Sequence, residues 1–374
     1  MSSTPAGRSL GNERWASLAG AKLAALVAAR WGPGERERGA IGATATLVEQ
    51  PAAGAAPVGG PAGDAGRTGW VLPDTDGVRA LGAALAWADK HHVDTLHLVA
   101  DSARGAGVLA RQAAQFAHPA LSVWAVEGRS LVAAEPAPVA VPPAAPAPPE
   151  LVDLLIDAGL EIVVEGGIVR GEVNGLEVAR IVHGETTSGE PIDAPRLEVG
   201  VGKADRELTA TVHGGLPAVE QLARVAEIVR RQRRPGVPRH PLNQLVPERW
   251  LRAVLCRAPG LVGLRSLRPA EGARARPNLS ERDVAIASGE APDGAPVVVA
   301  CVVGVALDLV PAAADARATL DARRAAGGPI VREPSSLMLA VPERDDHPAI
   351  RQLAAWLRAP ATVVPVPGDW RAAG

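Results

Sequence analysis

Residues 133–150, AAEPAPVAVPPAAPAPPE, set the first limit on the fold, because repeated proline denies the backbone both ladder and helix hydrogen bonds. An extended spacer is predicted there, with folded regions on both sides. A second low-complexity stretch, 51–69, is short of large apolar side chains and reads as a loop. Ahead of the spacer, GWVL, TLHLVA and LSVWAVEG have the length of strands. They alternate with two helical runs, GVRALGAALAWADKHH, where Val78, Leu81 and Leu85 fall at helical spacing, and AGVLARQAAQFAH. The order β-α-β-α-β is the unit that builds parallel sheets.

After residue 280 the same order returns in VVVACVVGVALDLVP, ADARATLDARRAA, SLMLAVP, HPAIRQLAAWLRA and TVVPV. The segments beginning TLHLVA and SLMLAVP share their apolar spacing, which fits either an internal duplication or two separate units of one common pattern. The middle region differs. LVDLLIDAGL reads as a short helix, and EIVVEGGIVRGEV, GLEVARIVHG, RLEVGVG and ELTATVHGG alternate with period two, as antiparallel strands do. PAVEQLARVAEIVRRQRR then reads as an amphipathic helix opened by a first-turn proline, with Val219, Leu222, Val225 and Val229 facing inward. The predicted class is therefore α/β with α+β: two small βαβαβ units flanking a mixed, mostly antiparallel middle domain. The expected division is 1–132, the spacer 133–150, a middle domain at 151–280 with an arginine-rich extension, and 281–374.

Composition narrows the function classes. A chain of 374 residues with 47% apolar content can bury two or three cores. With no Tyr and one Phe, it lacks the stacking platforms that read single-stranded nucleic acid. Cys256 and Cys301, both in apolar runs, make neither a disulfide framework nor a zinc set. No H-E-x-x-H, G-x-S-x-G or Walker pattern occurs. No apolar run is long enough to span a bilayer and no signal peptide is legible, so a soluble, cytoplasmic protein without membrane partners is expected. Arginine outnumbers lysine 36 to three. That bias and the run VALDLVPAAADARA resemble those of proteins from high-GC bacteria, a likeness that implies no particular function.

Three constellations carry candidate chemistry. On strict alternation Leu176, Val178 and Arg180 share one face and Glu177 the other, while Glu198 stands beside Gly200 and Gly202 with little bulk nearby. Two carboxylates on one sheet face suit Mg²⁺, which takes oxygen ligands and activates water. Equally, RLEVGVG and ELTATVHGG pair as a hairpin through the turn KADR, which makes both glutamates ordinary strand residues. In LVADSARGAGVLARQ, Asp101 ends a strand and Gly105 and Gly107 precede a helix, a place where open α/β sheets bind phosphate; alternatively Asp101 or Ser102 simply caps that helix. From Gln221 to Arg282 fourteen arginines face four acids, a local balance of +10 in a chain of net −2. Arg230, Arg231, Arg233 and Arg234 could grip a DNA or RNA backbone, or close a helix C-terminus.

The order from residue 151 to 234, a helix, strands, an acid, a second acid in the next strand and a helix, resembles the PD-(D/E)XK nuclease superfamily. The resemblance implies a Mg-dependent phosphodiesterase in which Glu177 and Glu198 hold the metal. It also implies a lysine two residues after the second acid; here Gly200 stands there and Lys203 is the lysine nearby. Two functions follow: a nucleic-acid-associated protein with a nuclease-like middle domain, active or not, or a non-enzymatic regulatory or scaffold protein whose α/β units bind a small ligand or a protein partner.

Overall fold

The computed structural model describes residues 6–42, 44–49, 66–73, 79–139, 146–186, 189, 191–212, 217–273, 278–281, 283–327 and 334–373. They fall into two compact units: Met1–Pro138, Ala306–Asp315 and Pro348–Pro360 in the first, and Val139–Val305, Ala316–His347 and Ala361–Gly374 in the second. The class is the mixed α/β one, built on three sheets. The first change of unit falls inside 133–150, and residues 281–374 are divided between the two units. Val78 lies outside the described residues.

The first unit opens with α1 (Ala6–Trp31), the hairpin β1 (Arg36–Ile41) and β2 (Thr44–Glu49), and β3 (Thr68–Leu72). It continues through α2 (Leu81–Lys90), β4 (Thr95–Ala100), α3 (Ala103–Ala113), β5 (Ala120–Glu127) and β6 (Ser130–Ala133). Strands β3, β4 and β5 are parallel, as the β-α-β-α-β pattern predicts. Antiparallel β1, β2 and β6 extend them to a six-stranded sheet. Both faces are covered, which is why β3 and β4 read as nearly continuous apolar runs. Ala19, Leu23, Leu26 and Val27 of α1, spaced at one helical face, pack on Leu47, Trp70, Leu72 and Val99. On the opposite face Gly69 lets the Trp87 ring of α2 approach the sheet. Beside α1, His97 lies among Trp31, Trp70 and Trp124, and accepts a hydrogen bond from the Trp124 indole at 3.3 Å. Burial, with Arg30 adding to it, pushes the His97 pKa down to about 4, so it is neutral at physiological pH.

The second unit begins with α4 (Pro149–Asp157), followed by β7 (Glu161–Glu165), β8 (Ile168–Val173), β9 (Leu176–Val182) and β10 (Arg196–Val199). These four strands form one antiparallel sheet in the order β10-β9-β8-β7. Two-residue turns join the first three strands: Gly166-Gly167 with φ of 63° and 74°, and Asn174-Gly175 with φ of 49° and 74°. Positive φ at both central residues is the turn geometry that follows strand twist. One sheet face carries the apolar core of Leu155, Leu176, Ala179, Ile181, Leu222 and Val229.

ELTATV does not form a strand. The chain leaves β10 through Gly200 (φ 139°) and Gly202 (φ 77°), and α5 (Gly202–Val212) starts at once, the Asp205 carboxylate accepting from the Val201 N–H at 2.7 Å. No hairpin through KADR exists, because local capping and the inward reach of Arg206 override the β preference of Thr209, Thr211 and Val212. In α6 (Ala218–Gln232), Leu222 and Val229 face inward as predicted, Val225 packs at the edge of the core, and Val219 is exposed. Pro217 occupies its N-cap position instead of the first turn.

After α7 (Pro241–Gln244) comes α8 (Pro247–Arg257), then β11 (Ser266–Pro269), β12 (Ala285–Glu290), β13 (Pro296–Cys301), α9 (Leu309–Gly327), β14 (Ser336–Pro342), α10 (Pro348–Ala355) and β15 (Ala361–Val366). The sheet order is β11-β12-β13-β14-β15, with β13, β14 and β15 parallel. Trp250, Leu251, Val254 and Leu255 of α8 pack on its apolar face with Val297, Val299 and Trp370.

Gly175 is the tightest of the hairpin glycines: a methyl group there would lie 2.3 Å from the Arg249 carbonyl carbon and oxygen, at φ 74°. Gly175→Ala is expected to cost about 2–4 kcal/mol of stability, clash added to strain. Gly166→Ala, at φ 63° with nothing within 4 Å, should cost only about 1 kcal/mol. Urea midpoints of the two variants test the difference.

Candidate functional site

Glu177 and Glu198 do share a face of the antiparallel sheet, through a feature that strict alternation misses. The β8–β9 register runs Arg170↔Arg180, Gly171↔Ala179 and then Glu172↔Glu177, so Val178 is an extra residue bulged out of the ladder. The bulge moves Glu177 onto the same side as Arg180, correcting the face assignment made from alternation. Glu198 pairs with Arg180 across β9–β10 and so joins that side.

Arginines fill the space between the two carboxylates. Glu177 is 2% exposed; its Oε2 accepts from Arg170 Nη1 at 2.6 Å, and its Oε1 from Arg180 Nε at 2.6 Å and Arg206 Nη1 at 3.0 Å. Arg206 Nε lies 3.8 Å from Glu198 Oε2. Burial alone would raise the Glu177 pKa, but Arg170, Arg180 and Arg206 together hold it below the ordinary carboxylate value. A divalent cation here would displace hydrogen bonds already made and face three guanidinium groups, so these residues do not fit one. Lys203 stands on the first turn of α5, exposed, with Glu207 as its partner at 3.8 Å. The arrangement predicted for phosphodiester cleavage is not assembled. Among the described residues no group of three His, Cys, Asp or Glu side chains is placed to hold a metal ion.

The same face continues into a larger ionic layer. Glu161, Glu165 and Glu172 stand on it and meet α8, whose Arg249 and Arg252 each bridge both Glu165 and Glu172. The contacts include 2.8 Å from Arg252 Nη1 to Glu165 Oε1 and 3.0 Å from Arg252 Nη2 to Glu172 Oε2. Arg257 pairs with Glu161 and donates to Asn174 Oδ1 at 2.8 Å. Burial raises the Glu165 pKa, yet Arg249, Arg252 and Arg170 outweigh it and hold the value at about 2. For Glu161 burial wins over Arg257 and the pKa is raised.

The arginines proposed to grip nucleic acid have divided roles. Arg233 is fully buried and donates to the carbonyls of Asn174, Leu242 and Leu245 at 2.8–3.0 Å, its guanidinium 4.7 Å from the centre of the Trp250 ring. Arg230 donates to the Ala158 and Gly159 carbonyls that end α4. Arg231 and Arg234 are exposed. In the first unit, Asp101 pairs with Lys22 at 2.6 Å, and Ser102 caps α3 by accepting from the Gly105 N–H at 3.0 Å. Gly107 is a close-packing position, since a methyl group there would lie 2.8 Å from the Ala137 side chain. Ser102 is the cap, as the capping alternative predicts, but Gly105 and Gly107 lie within α3 instead of preceding it.

A different place in the second unit is open. A cleft of about 920 Å³ lies at the carboxyl ends of β13, β14 and β15, marked by Gly304, Arg344 and Arg371, and is closed on its other side by residues 234–250. Its volume is within the range of ligand pockets, and its position is where parallel α/β sheets bind ligands. Arg234, Arg239, Arg344 and Arg371 line it, with Asp345, Glu248 and Glu281 as its acids. Asp345 accepts from the Gly304 N–H at 2.8 Å, and Glu248 is 1% exposed. Val246, on the cleft wall, holds φ at 40°, a left-handed conformation that a β-branched residue avoids. Such strain is stored where the surrounding structure enforces it, often at binding sites. Sequence reasoning missed Arg239, Arg344 and Arg371. The signal was available: Arg344 and Arg371 come just after the predicted strands SLMLAVP and TVVPV. No protein-family model, curated protein or solved structure matches the chain.

Glu177→Gln keeps the shape and removes the charge, leaving buried guanidinium groups uncompensated; a loss of about 3–5 kcal/mol in urea unfolding is expected, and a smaller one for Glu198→Gln. The depressed pKa of Glu165 stabilises the fold above the ordinary value of 4.5, and that contribution disappears as the pH falls toward about 2. Urea midpoints measured across this window should decline in the native protein and decline less in Glu165→Gln.

Proposed function

We propose that this protein acts by binding: a non-enzymatic regulatory or scaffold protein whose second unit holds a small anionic ligand in the arginine-lined cleft. The observation that carries this reading is Arg371. Its guanidinium lies over the rings of Trp370 and Trp250, at 4.4 Å and 5.1 Å from their centres, and makes no ion pair or hydrogen bond among the described residues. Burial and the neighbouring Arg344 charge both lower its pKa. A partly buried cation without a counterion, beside a second cation in a ligand-sized cleft, favours an anion. The saturated hydrogen bonding of Glu177 supports the non-catalytic half of the proposal.

The nucleic-acid reading retains the exposed Arg231, Arg234 and Arg239. Three such contacts predict weak retention on DNA with a shallow salt dependence, about one log unit of affinity per phosphate neutralised for each tenfold change in salt. A steep dependence would restore that reading. For the proposed function, plasmid incubated with Mg²⁺ or Mn²⁺ should be nicked no faster by the native protein than by Glu198→Ala. Citrate and phosphate compounds should raise the melting temperature of the native protein and not that of Arg371→Gln. Metal-dependent nicking lost in Glu198→Ala would overturn the first half, and absence of any anion effect the second.

A further inference from the structure

Resting on the reading of the cleft as an anion site, the charges and shape of its wall narrow the ligand class. Of the charged residues that line it, Glu248 is buried; those that reach solvent are Arg234, Arg239, Arg344 and Arg371 against Asp345 and Glu281, a balance of +2. Asp345 is already engaged by the Gly304 N–H and by Arg344, whose Nε lies 3.7 Å away, and Glu281 accepts from Asn278 at 2.6 Å. Arg371 is thus the cation of the cleft without an ion pair or hydrogen bond among the described residues, and Arg344 reaches an acid only at 3.7 Å.

We infer that the cleft binds a phosphate monoester of a small organic molecule, its phosphoryl group held by Arg344 and Arg371 and its organic part lying toward Gln244 and Ser280. Five features support the assignment. A phosphate monoester carries a charge of about −1.5 to −2 near neutral pH, which matches the balance of the exposed wall. Its three terminal oxygens can accept from two guanidinium forks at once. Arg344 and Arg371 follow adjacent parallel strands, β14 and β15, so the two forks approach from neighbouring strand ends. Stacking on Trp370 and Trp250 fixes the plane of the Arg371 guanidinium before any ligand arrives, which reduces the ordering cost of binding. The cleft volume of about 920 Å³ far exceeds a bare phosphate, and its walls at Gln244, Ser280 and Val303 offer neutral polar and apolar surface to an organic group.

Calorimetric titration of the full chain with inorganic phosphate, adenosine monophosphate, glucose 6-phosphate and citrate tests the inference. Indole fluorescence can follow the same titrations, because Trp250 and Trp370 lie under Arg371. At least one monoester is expected to bind about tenfold or more tightly than either inorganic phosphate or citrate, and Arg371→Gln and Arg344→Gln should each weaken it by a similar factor. Arg344 is exposed, so its substitution separates lost binding from lost folding, with the melting temperature of the unliganded variant as the check. Citrate binding as tightly as any phosphate would overturn the phosphate assignment and leave the anion-binding cleft standing. Inorganic phosphate matching both monoesters would overturn the organic part. No arginine-dependent binding of any of the four would remove both the inference and the reading beneath it.

Discussion

The second unit depends on what Arg249 and Arg252 do from one side of α8. Each guanidinium spans Glu165 and Glu172, on neighbouring strands, while Trp250, Leu251, Val254 and Leu255 carry the rest of the helix into the apolar core of the five-stranded sheet. One helix therefore joins two sheets by two kinds of force. The apolar side supplies net stabilisation with little positional demand. The ionic side adds little net free energy, because desolvation offsets most of the attraction, but it penalises any placement that leaves a charge unpaired. With five glutamates of the four-stranded sheet facing six arginines from the sheet, α5 and α8, the helices have one register in which every carboxylate finds a guanidinium.

The cleft is downstream of that arrangement. Val246, Pro247 and Glu248 at the start of α8 form part of its wall, and Arg233 ties the Asn174 turn to the carbonyls of Leu242 and Leu245 just before the helix begins. Trp250, held on the apolar side of α8, supports Arg233 and Arg371 alike. The residues that fix α8 against the charged sheet thereby also fix the plane on which the cleft's unpartnered arginine rests. Positioning and binding share one helix, which explains why the cation at the site can be stacked and still be held in a defined place.

Much of this architecture was legible in the sequence. The parallel strands of both sheets announced themselves as apolar runs alternating with helical periodicity, and the antiparallel middle strands as two-residue alternation. ELTATV misled because its β-branched residues outweigh the local cues, Asp205 near the helix start and the Lys203–Glu207 pair one turn apart. The excess of arginine was plain, but its direction was not. Solvent-facing and sheet-facing arginines look alike until their partners are known, and those partners lie about 80 residues away. A cue existed in the spacing itself: Glu161, Glu165, Arg170 and Glu172 fall on one strand face, and Arg249 and Arg252 on one helix face. The cleft required the order of strands, since it is assembled from segments that follow β13, β14 and β15.

The extra valine of β9 has a consequence for how related chains would vary. Because Val178 takes no place in the pairing with β8, a chain shortened by that single residue would run as a regular strand and still present Glu177 beside Arg180. Length at this point is free to drift by one, whereas a lone insertion elsewhere in the strand would send a carboxylate into oil. In an alignment gaps would gather at position 178, and away from that position the parity of the spacing between acid and base on each strand would stay constant.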